Sequence, residues 1–203
     1  MWEKTGETHQ GIFDLSFFKL IPNITIMAPK DFIELKVMME FAVKLKSPVV
    51  IRYPRGGEGK NRFNTHAYIS IGKSEVLTKG TDVTIIAIGN QVSKAMNIFY
   101  KLKKEGISAN VINARFLKPI DKYEFVQSIK NTRFVVTIED NTLVGGLASS
   151  INELIATKHL KDITVRNFGY PDVFVEHGTP NELEEKYGVD VKNIVNTIWS
   201  LKK

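Results

Sequence analysis

The chain has 203 residues, 43% hydrophobic and 25% charged, an ordinary globular composition that excludes a disordered chain and suits one large or two small domains. Its net charge of +6 sits on scattered lysines, and the short run Lys101-Leu102-Lys103-Lys104 falls at a predicted helix end, so no nucleic-acid role is expected. Cysteine is absent, which excludes disulfides and thiolate metal sites; no signal-like start and no apolar stretch near the ~20 residues of a bilayer span are visible, so a cytoplasmic protein without membrane contact is expected.

Short β-branched runs alternate with amphipathic segments, the mark of an α/β fold with a mostly parallel sheet. Ile24-Thr25-Ile26-Met27 reads as a strand, and Ala28-Pro29 breaks it. Asp31 offers an N-cap with Glu34 three residues on, and Phe32, Leu35, Met38, Met39, Ala42 and Leu45 follow at helical spacing as one apolar face. Ser47-Pro48 stops that helix, and Val49-Val50-Ile51 reads as a buried strand. The glycine-rich polar stretch Gly56 to Asn61 marks a boundary.

The second region alternates more cleanly. Val83 to Ile88 is a strand ending at Gly89, and a helix follows with Val92, Ala95, Met96, Phe99 and Leu102 on one face, closed by Gly106. Ala109-Asn110-Val111-Ile112 is the next strand, and Asp121 caps a helix carrying Phe125, Val126 and Ile129. Phe134 to Ile138 is a third strand, followed by a helix after Gly145-Gly146, and Ile163-Thr164-Val165 is a fourth strand. Thr179-Pro180-Asn181-Glu182 combines an N-cap, a proline at the first helical position and a carboxylate at the third. A helix with Val191, Ile194, Val195 and Ile198 ends the chain. The first region, with two strands and one helix, is too small to close a core alone and is expected to hold only marginal order.

Three places could carry chemistry. His9, between Gly6 and Gly11, sits on a loop where the backbone can approach a ligand; taken alone it reads as a structural histidine more readily than as a proton carrier. Arg52-Tyr53-Pro54-Arg55 follows a strand, where ligands collect in open α/β sheets; phosphate clamp and salt bridge are evenly matched there. Glu139-Asp140-Asn141 before Gly145-Gly146 reads as helix capping with close glycine packing rather than a metal site. His66, His159 and His177 have no ligand-like spacing.

Thr8-His9-Gln10-Gly11-Ile12-Phe13-Asp14-Leu15-Ser16 with Ile21-Pro22-Asn23 resembles the 1-deoxy-D-xylulose-5-phosphate synthases of the transketolase superfamily. Similarity continues in family order through Met27-Ala28-Pro29, Arg52-Tyr53-Pro54-Arg55-Gly56, Arg115-Phe116-Leu117-Lys118-Pro119-Ile120-Asp121, Glu139-Asp140-Asn141, Gly169-Tyr170-Pro171-Asp172 and Glu176-His177-Gly178. The resemblance implies a thiamine-diphosphate- and magnesium-dependent transferase that joins pyruvate to glyceraldehyde 3-phosphate with loss of CO2, supplying isoprenoid, thiamine and pyridoxal precursors as a homodimer.

On this resemblance, residues 1–56 are the C-terminal part of a pyrimidine-binding-type domain, 57–74 a linker, and 75–203 a transketolase C-terminal-like domain. His9 matches the histidine facing cofactor and substrate, and Arg55 the arginine on the aldehyde's phosphate. The magnesium motif and the activating glutamate have no counterpart in this sequence, so no cofactor-binding or metal-binding residue is assigned and the chain alone is expected to be inactive. Thr5 stands where the family carries an aspartate. The alternatives are a subunit of a split transketolase-like enzyme and a non-catalytic dimerisation module.

Overall fold

A computed structural model of the chain describes residues 10–54, 63 and 68–202. His9, Arg55, His66, Thr5 and the whole glycine-rich stretch Gly56 to Asn61 lie outside the described residues. Two sheets organise the rest. In the first, β1 (Thr25–Met27) pairs in parallel with β2 (Val49–Ile51), and its other edge pairs antiparallel with β6 (Phe116–Lys118). The second has the order β3-β5-β4-β7-β8, formed by β3 (Glu75–Thr78), β5 (Ala109–Asn113), β4 (Val83–Ala87), β7 (Phe134–Thr142) and β8 (Thr164–Tyr170). All its pairings are parallel except that of the edge strand β3.

Strand alternation divides the second sheet into two faces. Val83, Ile85 and Ala87 of β4 point to one side, where they meet Val92, Ala95 and Ile98 of α3 (Gln91–Lys104) and Ile194 and Ile198 of α7 (Val191–Lys202). Ile86 and the following Ile88 point to the other, against Phe125 and Ile129 of α4 (Lys122–Thr132) and Leu147 and Ile151 of α5 (Leu147–Thr157). This second core also takes in Ile26 and Ala28 from β1 and its end, and Leu15 of α1 (Asp14–Lys19). The first region therefore buries Leu15, Ile24, Ile26 and Ala28 on the second, and β6 completes its sheet.

The expected caps are present. Asp31 accepts from Glu34 N at 2.7 Å at the start of α2 (Phe32–Lys44), and Asp121 accepts from Glu124 N. Thr179 and Glu182 form a reciprocal capping box on α6 (Pro180–Lys186). Gly106 follows α3 at φ +75°, the left-handed conformation that glycine adopts without steric cost.

Some details differ from the sequence reading. Phe32 and Met39 are 54% and 53% exposed, whereas Glu34 and Met38 are fully buried, so α2 is rotated from its simple apolar stripe. Glu34 turns inward because cations await it there: Arg115 Nε donates at 2.7 Å and Lys30 Nζ at 3.2 Å. Both cations also pair with Glu75, giving two cations and two carboxylates in one buried cluster. The strand Val49–Ile51 is half-buried because it lies at a sheet edge. β7 runs four residues past Ile138, through Glu139, Asp140, Asn141 and Thr142, all buried. Helix α1 and strands β3 and β6 were not expected. Among the described residues no helix is long and apolar enough to cross a membrane.

Candidate active site at the strand ends

The chain moves from β5 past β4 to β7, so the connections reverse direction at the carboxyl ends of β4 and β7, the place where open α/β sheets form ligand crevices. Gly89, just beyond β4, has φ +62° and lies close under Ala28, where an added Cβ would stand 3.3 Å from the alanine methyl. The end of β1 thus closes over the switch point.

The polar end of β7 organises what surrounds it. Glu139 is 1% exposed, and its two oxygens accept the amides of Leu147 and Ala148 at 2.8 Å each, at the start of α5. Burial pushes its carboxyl up to about 7, against the downward pull of those amides, and the charge of Asp140 adds to the rise. Gly146 lies against this carboxylate so closely that a Cβ would overlap it. Helix capping with close glycine packing is therefore what Glu139 and Gly146 do. Asn141 accepts from Leu15 N at 3.2 Å and donates to Ser16 Oγ at 2.7 Å, which fixes the start of α1.

Residues Gln10 to Ile12, directly after His9, are held at several points. Gln10 Nε2 donates to Glu176 O at 3.1 Å, and Ile12 O accepts from Thr142 N at 2.7 Å. The Ile12 side chain packs with Tyr170, Val175 and Leu183 in a small core of its own. Gly11 has φ +71°, and its carbonyl lies 3.5 Å from Arg52 Nη2, a weak contact by length. Arg52 also pairs through Nη1 with Asp140. Its N–H continues the β1–β2 ladder, donating to Met27 O at 2.8 Å.

Arg52 is therefore a salt bridge at the strand end, as one of its two readings held, and it joins three segments: β2, the end of β7 and the loop after His9. Among the described residues, three buried polar atoms here find no hydrogen-bond partner: Gln10 Oε1, Asp140 Oδ2 and Thr142 Oγ1. Burial also raises the Tyr170 phenol beyond its usual range. Sequence reasoning did not single out Thr142 or the contact between Arg52 and Asp140, because neither carries a spacing signal. Tyr170 had one, as part of Gly169-Tyr170-Pro171-Asp172. Among the described residues no group of three or more His, Asp or Glu side chains could hold a metal ion. They do not fit a magnesium site.

An α/β unit whose switch point is covered by the end of a strand from a second sheet defines the class, and comparison with known proteins identifies it. The transketolase C-terminal domain family matches residues 72–194, and the transketolase pyrimidine binding domain family matches residues 2–58. The chain belongs to the transketolase C-terminal domain family. It is 43% identical over 199 residues to the 1-deoxy-D-xylulose-5-phosphate synthase of Desulforudis audaxviator (strain MP104C), covering 98% of this chain and 31% of that protein. It is 45% identical over 197 residues to the synthase of Halothermothrix orenii, covering 97% and 31%. A solved split gene transketolase, described as an inactive beta4 tetramer, superposes with a TM-score of 0.88 at 35% identity, covering 96% of this chain and 63% of that one. The chain thus spans about a third of the length of these synthases.

Proposed function

We propose that this chain supplies the aldehyde-binding side of a thiamine-diphosphate-dependent transferase that condenses pyruvate with glyceraldehyde 3-phosphate into 1-deoxy-D-xylulose 5-phosphate and CO2. In this reading residues 1–56 belong to a pyrimidine-binding-type domain, 57–74 link, and 75–203 form the C-terminal domain. The observation that carries it is the meeting of two loops. The Arg52 guanidinium touches the Gly11 carbonyl and pairs with Asp140, so the segment entered from His9 and the segment leading to Arg55 converge at one strand end.

His9 is assigned to moving a proton at the reacting oxygen and Arg55 to clamping the aldehyde's phosphate, roles suited to an imidazole and a planar guanidinium. Gln10, Arg52 and Asp140 hold the loop between them. Thiamine diphosphate, when bound, supplies the carbanion chemistry. The cofactor and its magnesium are assigned to the remainder of a longer enzyme, and a homodimer is the proposed assembly. The likeness to a split gene transketolase favours a second reading, in which that remainder is a separate partner chain.

The test is to supply the missing domains, fused or as a partner chain, and follow labelled pyruvate into product by NMR. Product is expected from the combination and not from this chain alone, and His9→Ala should lower turnover by about 10²–10⁴-fold. A combined protein that makes no product, or a His9→Ala variant at full rate, would overturn the assignment.

A further inference from the structure

A second cleft, of about 500 Å³, opens between the end of α1, β6, the start of α4 and the end of α5. It lies at the opposite end of α1 and α5 from Asn141. Its lining on α5 and the helix's C-cap runs from Ser150 to Lys158, beginning about one helical turn after Leu147. Its volume falls in the range of small-molecule sites.

Four lysines line it, Lys19, Lys118, Lys122 and Lys158, against one carboxylate, that of Glu153. None of the four is within ion-pair distance of a carboxylate among the described residues, although nine other cation–carboxylate contacts, six of them from lysine, are formed elsewhere among those residues, from Lys30–Glu34 to Lys202–Asp82. We propose that this cleft binds a small anion bearing a phosphate or diphosphate group, at a site separate from the strand-end residues described above.

The usual explanation for lysines at helix ends accounts for only part of the cluster. Cations are favoured at helix C-termini, which suits Lys158 after α5 and Lys118, whose ammonium caps the end of α1 through Lys19 O at 3.0 Å and Ile21 O at 2.7 Å. Lys122 stands in the first turn of α4, where the dipole disfavours a cation and favours an anion. Lys19 turns away from its own helix end and crosses to Ser150 Oγ at 2.7 Å, half-buried.

An ammonium has three N–H donors. Lys19 uses one on Ser150 and Lys118 two on carbonyls, so both retain donors that a phosphate's oxygens would satisfy. Burial lowers the Lys19 pKa, consistent with a cation that gains from an incoming negative charge. Leu117 and Leu154 form an apolar floor, which limits water's competition for the bound group.

Calorimetric titration of the 203-residue chain with inorganic pyrophosphate, and separately with inorganic phosphate, tests the idea. Saturable binding is expected, tighter for pyrophosphate. Lys19→Met should weaken it at least about tenfold, the order expected when a partly desolvated charge contact is lost. Since Lys19 is half-buried, the exposed pair Lys122→Met with Lys158→Met provides a variant that leaves the fold intact and should weaken binding by a similar factor. Lys101→Met on α3 should change nothing. Arg55→Ala separates the two sites: binding retained there places it in this cleft. No saturable binding, affinity unchanged in the Lys122/Lys158 variant, or affinity lost in Arg55→Ala would each overturn the proposal.

Discussion

Arg115 Nε donates to Glu34 Oε1 at 2.7 Å, and this bond ties the helix after β1 to the residue that opens β6. The two groups share their cluster with Lys30, Glu75 and Asn113, so charge is balanced and Glu34's oxygens accept from Lys30, Asn113 and Arg115. Desolvating four charges is costly, and the cluster adds little net stability as an intact set, yet removing one member strands the others.

Glu34→Ala leaves two buried cations with one carboxylate between them. A loss of about 3–5 kcal/mol is expected by urea denaturation. The whole chain should unfold in one transition, because β1 is the central strand of a sheet that the second region completes. A loss below about 1 kcal/mol, or two separate transitions, would show that the cluster does not join the regions.

Arg52 makes a different prediction, which rests on the proposed reaction. Arg52→Met removes the cation beside the buried Asp140 and the donor to the Gly11 carbonyl. The loop that follows His9 loses one of its tethers, and misplacement by a fraction of an ångström is expected to lower kcat of the combined enzyme by about 10–100-fold. The Michaelis constant for pyruvate should change less. If kcat holds while only thermal stability falls, Arg52 serves the fold and not the site.

The alternation of strands and amphipathic helices was legible from residue 83 onward because β4, β5 and β7 are buried on both faces and the helices beside them carry apolar stripes. Capping was equally legible, since Asp31, Asp121 and Thr179 act through bonds only three residues long. What escaped was set by distant partners. The inward turn of Glu34 depends on Arg115, 81 residues away, and hydrophobic spacing on α2 could not reveal it. The end of β7 was hidden because Glu139, Asp140 and Asn141 are polar, and they are buried only because α5, Arg52 and α1 supply their partners. The expectation of a marginal first region rested on its two strands and one helix, and a third strand for its sheet comes from β6. The proposed site residues, His9 as proton carrier and Arg55 as phosphate clamp, rest on family resemblance and on the placement of their neighbours.

Gly146 gives a prediction free of any functional reading. Its φ of −82° and ψ of −153° suit any residue, so backbone strain is not at issue. An added methyl would collide with the Glu139 carboxylate and stand 2.9 Å from Asn141 Nδ2. Gly146→Ala should push Glu139 off the Leu147 and Ala148 amides and cost about 2–4 kcal/mol, the sum of overpacking and unpaired buried groups. Thermal unfolding measures it, and a variant as stable as the parent would mean that the strand end can shift freely.

Glu139 itself predicts a dependence on pH. Its folded carboxyl is raised to about 7 from an ordinary 4.5, with burial the largest cause. Between those values the folded state holds a proton that the unfolded state has lost, so stability falls as pH rises through this window. Below 4.5 the group is protonated in both states, and above 7 it is ionised in both, so the effect is confined between them. At ~1.4 kcal/mol per pH unit the decline amounts to about 3 kcal/mol for this one group. The lowered carboxyls of Asp82, Glu176 and Glu182 act in the opposite sense but below the ordinary carboxylate range, as acid removes the charges that Lys202, Lys186 and the Thr179 amide stabilise. Urea denaturation at pH 5, 6, 7 and 8 should therefore show falling stability to about pH 7 and a plateau beyond it. Glu139→Gln should abolish the slope, at the expense of one amide acceptor at every pH. A parent protein whose stability is flat from pH 5 to 8 would mean that the two backbone amides of α5 outweigh burial and keep Glu139 ionised throughout.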